Sequence, residues 1–233
     1  MADTSEKLAL IVGAGSGLSA SLARALAKDG YQIALAARST DKLDAICRET
    51  DAKAFACDAA KQSDVESLFT ALDGLGPALD VVIYNASYRT RGPLIELNPP
   101  DVEKALMVSA YAAFLVAQQA AKRMLPRGSG NILFTGASAG VKGYPQSAPF
   151  AMGKFALRGL AQSMARELHP QGVHVGHFVI DGGISSAQRP ADPQKPDAML
   201  HPDAIAESYM ALINQPRSAW AWEVEVRPWV EKF

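Results

Sequence analysis

Cysteine is nearly absent: Cys47 and Cys57 are the two in 233 residues. Neither sits in a CxxC or His-paired spacing, so a disulfide framework and a zinc site are excluded. Both thiols are expected to be small, reduced, near-core residues, one in a helix and one in a strand. Long hydrophobic runs are lacking as well. Leu8–Val12 follows the polar stretch Met1–Lys7 and is too short for a signal-peptide core or a membrane span, so the expected location is the cytoplasm. Nor is there an excess of either charge. Lys plus Arg number 23 against 24 Asp plus Glu, for a net charge of −1, and the two signs are interleaved. That leaves no electrostatic footprint for nucleic acid or an anionic membrane. The partners expected are a small-molecule substrate and copies of the chain itself. No repeat or low-complexity segment interrupts a composition that is 48% hydrophobic and 20% charged, enough apolar material for a sizeable core in a single domain spanning 1–233.

What is present is an alternation of short apolar runs with longer amphipathic ones. Strands are expected at Leu8–Val12, Gln32–Ala36, Ala54–Cys57, Asp80–Tyr84, Asn131–Thr135 and Val173–Ile180. Between them, apolar residues at three-and-four spacing predict helices over Gly17–Asp29, Thr40–Thr50, Ser63–Leu72, Pro100–Leu125 and Ser147–Leu168, and a last helix and strand over Pro202–Asn214 and Glu223–Val226. Such alternation implies right-handed βαβ units, hence an α/β fold with a doubly wound parallel sheet between two helical layers. Continuous rather than alternating runs, as in Asp80–Tyr84, suit strands buried on both faces. Residues 181–201 are rich in Gly, Ser, Pro and Asp and too long for an idle connection, which marks them as a substrate lid.

Directly after the first strand comes Gly13-Ala-Gly15-Ser16-Gly17-Leu18-Ser19 and then a helix. A strand, a tight glycine turn and a helix N-terminus aim backbone N–H groups and the positive end of the helix dipole at a pyrophosphate. The spacing is not GxGxxG begun at Gly13, since Leu18 falls on its last position. It is Gly-x3-Gly-x-Gly with Ser19 in the last place. In this the chain resembles the short-chain dehydrogenase/reductases, and the resemblance runs over essentially its whole length. Asp58-Ala59 after the third strand, Asn85-Ala86-Ser87 after the fourth and Lys154 in the fifth long helix match in the family's order. The resemblance implies a Rossmann-type fold and a bound nicotinamide dinucleotide, with Asp58 toward the adenine amino group and Lys154 on the nicotinamide ribose.

At the end of the second strand, where NAD-binding relatives carry an acid for the ribose hydroxyls, stands Ala37-Arg38-Ser39. Arg38 can pair with a 2′-phosphate bidentately and Ser39 can donate to it, so NADP(H) is the expected cofactor. The family's Tyr-x-x-x-Lys is here Phe150-Ala-Met-Gly-Lys154. The family's serine position falls on Ala137, with Ser138 next to it, and its helical asparagine on Ser109. Of the four catalytic positions only Lys154 stays. The Pro-Gly expected after the sixth strand is replaced by Ile180-Asp181, leaving the backbone near Ile184 to meet the nicotinamide. Tyr144, Ser138, Asp181 and Tyr88 are the alternative proton donors, with Tyr144 first. His169, His174, His177 and His201 form no metal triad and are expected to be structural, so no metal is expected.

Two functions follow. One is an NADP(H)-dependent oxidoreductase moving hydride to or from a small carbonyl or conjugated C=C. The other is a catalytically silent NADP(H)-binding sensor or partner protein. A methyltransferase shares the strand, glycine loop and helix but wants an acid where Arg38 stands. The segments Ser87–Pro93, Val141–Ser147 and 181–201 should make the substrate pocket, and Tyr88, Arg89 and Arg91 hint at an anionic or aromatic substrate. Small-residue faces on the two long helices (Ala112, Ala113, Ala117, Ala120 and Ala121; Ala151, Ala156, Gly159 and Ala161) and the Trp-rich tail suggest a homodimer or homotetramer.

Overall fold

The computed structural model describes residues 7–231, so Met1–Lys7 lies outside the described residues except for Lys7. Seven strands form one all-parallel sheet: β1 (Lys7–Val12), β2 (Tyr31–Ala37), β3 (Lys53–Ala56), β4 (Ala78–Tyr84), β5 (Asn131–Thr135), β6 (His174–Ile180) and β7 (Glu223–Val226). Their spatial order is β3-β2-β1-β4-β5-β6-β7. The central strands are apolar on both sides because helices cover both faces. One layer holds α3 (Gln62–Asp73), α4 (Pro99–Leu106), α5 (Ala112–Met124) and α6 (Ala148–Leu168). The other holds α1 (Leu18–Lys28), α2 (Asp44–Thr50) and α7 (Pro202–Ile213). The strand order reverses between β1 and β4, which opens a crevice at their carboxyl ends, the usual ligand position in such sheets.

Two expected helices are broken, and each break has a packing reason. In place of a helix over Thr40–Thr50, a 3₁₀ turn (Asp41–Leu43) precedes α2 and turns Leu43 fully into the core. In place of Pro100–Leu125, α4 and α5 are separated by a π-helical turn at Met107–Tyr111. That wide turn carries Ser109 against Gly153 of α6, whose missing Cβ would come within 2.8 Å of the serine Cβ. Cys57 falls just past β3 rather than in it; burial pushes its thiol up to about 11, and raises Cys47 as well.

The small-residue face of α5 turns inward: Ala112, Ala113, Ala117 and Ala120 are buried in the chain's own core and Ala121 is half-buried. On α6 only Ala161 is buried; Ala151 is half-buried and Ala156 and Gly159 are exposed. Exposed apolar side chains of the same region are Tyr111, Phe114, Met152 and Phe155. In the tail, Trp220 stacks on His174 (centroids 4.5 Å apart) and Trp222 packs on the core, whereas Trp229 is exposed. His174 also bonds the Ala221 carbonyl, and His169 accepts from the Val175 N–H. Segment 181–201 is irregular but pinned at both ends: Leu200 N–H donates to Gly183 O at 2.8 Å and Ser185 N–H to Leu200 O at 2.9 Å. Among the described residues no helix is long and apolar enough to cross a membrane.

Candidate functional site

The glycines after β1 divide into two kinds. Gly13 has φ +82°, and a Cβ there would lie 2.4 Å from the Ala86 nitrogen, so this glycine lets the loop close on the turn after β4. Its N–H and that of Ala14 both donate to Ala36 O on β2. Around Gly15 and Gly17 a Cβ would meet nothing within 4 Å. Their open side faces outward at the start of α1, which has no side-chain cap and no acid in its first turn, so its leading N–H groups remain available to an anion. Ser16 is exposed beside them, while the Leu18 side chain is buried and offers only its backbone.

Asn85 acts as a strut beneath this loop. Its N–H donates to Val12 O, and its side-chain amide donates to Ser19 Oγ at 2.7 Å; that hydroxyl in turn donates to Gly13 O at 3.3 Å. The last member of the glycine motif is therefore a serine that ties β4 to the loop.

Two cavities flank Asn85 and Ser87. The first, about 270 Å³, lies over the ends of β1, β2, β3 and β4 and is lined by Gly13, Arg38, Lys42, Asp58, Ala59, Ala86 and Tyr88 among others. Asp58 is fixed there by its own turn, its carboxylate accepting from Ala60 N–H while its N–H donates to Asp64. Ser39 is exposed and does not line it. Lys42, not singled out from sequence, adds a second cation; a lone lysine four residues past Arg38 carries no distinguishing pattern.

The second cavity, about 530 Å³, continues from Asn85 over β5 and β6, and its walls include Ala137, Ser138, Tyr144, Phe150, Lys154, Asp181 and Ile184. Lys154 is almost fully buried, donates to Thr135 O at 2.7 Å, and is pushed down to about 8 by that burial. Its Nζ is 5.8 Å from the centroid of Phe150, whose ring has no proton to give. Ser109 is not in the site: its hydroxyl is fully buried behind α6, has no hydrogen-bond partner among the described residues and lines neither cavity.

The four alternative donors separate. Tyr88 is turned away, donating to Asp101 at 2.9 Å beside the first cavity. Asp181 is paired with Lys142 and Arg227, each at 3.4 Å. Tyr144 and Ser138 face the second cavity. His177 lies behind it, its Nδ1 bonded to Glu223, which also takes a bidentate bond from Arg158.

Residues 7–194 match the family model described as short chain dehydrogenase. A solved short-chain dehydrogenase from Rhodopseudomonas palustris superposes with a TM-score of 0.83 at 32% identity, covering 96% of this chain and 99% of that one. A metagenomic short-chain oxidoreductase solved in complex with NADP superposes with a TM-score of 0.84 at 28% identity, covering 96% and 98%. An uncharacterized oxidoreductase of Staphylococcus aureus strain N315 is 26% identical over 229 residues, covering 96% of this chain and 97% of its own length. The parallel sheet, the glycine loop after β1 and these matches together make the chain a member of the short chain dehydrogenase family of oxidoreductases.

Proposed function

We propose that the protein binds NADP(H) across the two cavities and moves hydride to or from a small carbonyl or conjugated C=C compound. The observation that carries this reading is the pairing of cavities on either side of Asn85, with Arg38 and Lys42 at one end and Lys154 at the other. A dinucleotide fits the residues present. Arg38, with Ser39 beside it, would hold the 2′-phosphate, the bare side of Gly15 and Gly17 with the N–H groups of Ser16 and Leu18 would take the pyrophosphate, and Asp58 and Ala59 would border the adenine. Lys154 and the backbone at Asn85, Ala86 and Ile184 would border the nicotinamide end. A neighbour of the same fold holds NADP, which supports the choice of cofactor.

When bound, the reduced nicotinamide supplies a hydride. The chain's own contribution at the receiving end is unusual for its family, since Phe150 cannot donate a proton and Ala137 cannot hold a carbonyl. Losing a positioned general acid costs about 10² to 10⁴ in rate. A conjugated acceptor suffers less, because charge moves to a distal oxygen that Tyr144, Ser138 or water can protonate. The segment 181–201, which contributes Asp181 to Ile184 and Arg189 to the wall, would close over such a substrate. Phe150 and Ala137 equally favour a second reading, a cofactor-binding sensor without turnover. NADPH consumption against a panel of ketones, quinones and conjugated enones, run beside Phe150→Tyr, separates the two. Turnover of a conjugated acceptor by the unmodified protein supports the reductase; turnover by Phe150→Tyr alone supports the sensor.

A further inference from the structure

Three arginines converge on the second cavity without an acid to answer them. Arg89, Arg91 and Arg189 all line its wall, and among the described residues none of their guanidinium groups has an ion pair or hydrogen bond. Of the acids on that wall, Asp181 is already paired with Lys142 and Arg227, leaving Glu231 at the rim. The three cations come from two loops. Arg89 and Arg91 lie in the loop after β4, which is tied to the loop before α6 by Gly92 N–H donating to Gln146 O at 3.1 Å. Arg189 comes from segment 181–201 and lies so near Gly183 that a Cβ there would be 2.9 Å from its guanidinium. Arg89 is held below its ordinary pKa, first by partial burial and then by the charges of Arg91 and Arg189. Arg89 thus lies close enough to both to feel their charge.

The arrangement is anchored where the chemistry would occur. The guanidinium of Arg89 lies over the face of Phe150, 4.9 Å from its centroid, a cation–π contact that uses none of its N–H donors. The Ser147 hydroxyl lines the same cavity, is 1% exposed and has no hydrogen-bond partner among the described residues. A buried hydroxyl without a partner and three unpaired guanidiniums form a donor set that lacks its acceptor.

We propose that Arg89, Arg91, Arg189 and Ser147 form a subsite for a compact oxyanion, carboxylate or phosphate, carried by the substrate. This rests on reading the second cavity as the substrate site, and it narrows the substrate class to anionic carbonyl or enone compounds. Arg89 then brings a permanent positive charge to the place where the family's phenol is missing, a charge that holds the substrate and supplies no proton.

The test is calorimetric titration of the NADPH-loaded protein with inorganic phosphate and, separately, with succinate, at fixed ionic strength. The comparison is with Arg89→Gln/Arg189→Gln, Arg89→Lys and Ser147→Ala. Saturable one-to-one binding of at least one probe is expected. It should weaken about tenfold or more in the double variant and less in Arg89→Lys, because lysine keeps the charge but not the planar fork. The stronger probe tells phosphate from carboxylate. NADPH affinity should stay within about twofold in all variants. Absence of binding by both probes, or binding unchanged in the double variant, overturns the proposal. A loss of NADPH affinity parallel to the loss of probe binding also overturns it, by assigning the arginines to the cofactor. Should NADPH itself not bind, the cofactor reading falls, and the same titration of the unloaded protein decides the subsite.

Discussion

Lys154 donates its ammonium to the backbone carbonyl of Thr135 at 2.7 Å from an almost fully buried position. Burial lowers its pKa from 10.5 to about 8. Between those values the unfolded chain binds more protons than the folded one, so stability rises with pH across that window, by about 3 kcal/mol at most. Below about 8 the penalty of the buried charge is present in full. Lys154→Met should therefore flatten the alkaline limb of a urea-midpoint profile and cost little stability at neutral pH, since an apolar side chain replaces a buried cation. The same variant should weaken NADPH binding about tenfold or more. A variant that loses stability at pH 7 without losing affinity would make Lys154 structural.

Gly13 and Gly15 should respond differently to alanine. Gly13→Ala drives a Cβ onto the Ala86 backbone from a positive φ, a combination of overpacking and strain that costs about 2 kcal/mol or more. Gly15→Ala meets open space. It should leave the melting temperature within a degree or two, as for a neutral surface change, and reduce NADPH affinity by crowding the pyrophosphate. Thermal melts and cofactor titrations on the two variants check both halves; equal destabilisation would contradict the division of roles.

His177 is fully buried, with Nδ1 on Glu223 and no hydrogen-bond partner among the described residues for Nε2. Burial outweighs the favourable Glu223 and takes it from 6.5 down to about 4. As pH falls through that window the unfolded state takes up the proton first, so stability is lost from about pH 6.5 downward, by up to about 3 kcal/mol. Glu223, whose pKa is held below its ordinary 4.5 by Arg158 and His177, adds a further loss at lower pH. His177→Gln should reduce the slope of chemical-denaturation midpoints between pH 6.5 and 4 and leave the lower limb in place. An unchanged slope would assign acid sensitivity elsewhere.

Self-association should run through Tyr111, Phe114, Met152 and Phe155, which are between 41 and 47% exposed around α5 and α6. Apolar side chains grouped at that exposure mark an interface. The unmodified protein is expected to sediment as a dimer or tetramer, and Phe114→Glu/Phe155→Glu to sediment as a smaller species at the same concentration. A monomeric parent protein would leave these residues unexplained.

Much of the architecture was legible because buried parallel strands and amphipathic helices differ in period, and every expected strand exists with its ends within two residues of the expected ones. Periodicity could not reveal the π-helical turn at Met107–Tyr111, because one inserted residue shifts a helix face without changing its composition. It also could not tell an outward small-residue stripe from an inward one, and the alanines of α5 face the sheet. At the site, motif spacing located Lys154, Phe150 and Arg38. It gave no sign that Asn85 and Ser19 would bond to each other across 66 residues, or that Arg189 would join Arg89 and Arg91. Those relations come from topology, which brings the ends of β1, β4 and β6 to one rim.

The measurement that bears most directly on the whole account is an equilibrium titration of NADPH and NADH against the unmodified protein and Arg38→Asp. A charge-assisted pair with the 2′-phosphate contributes about 1.5 to 3 kcal/mol. The unmodified protein should therefore prefer NADPH by about tenfold to a hundredfold, and Arg38→Asp should abolish or reverse that preference while binding NADH as well or better. Equal affinity for both dinucleotides, or no binding of either, would contradict the cofactor assignment on which the proposed reaction depends.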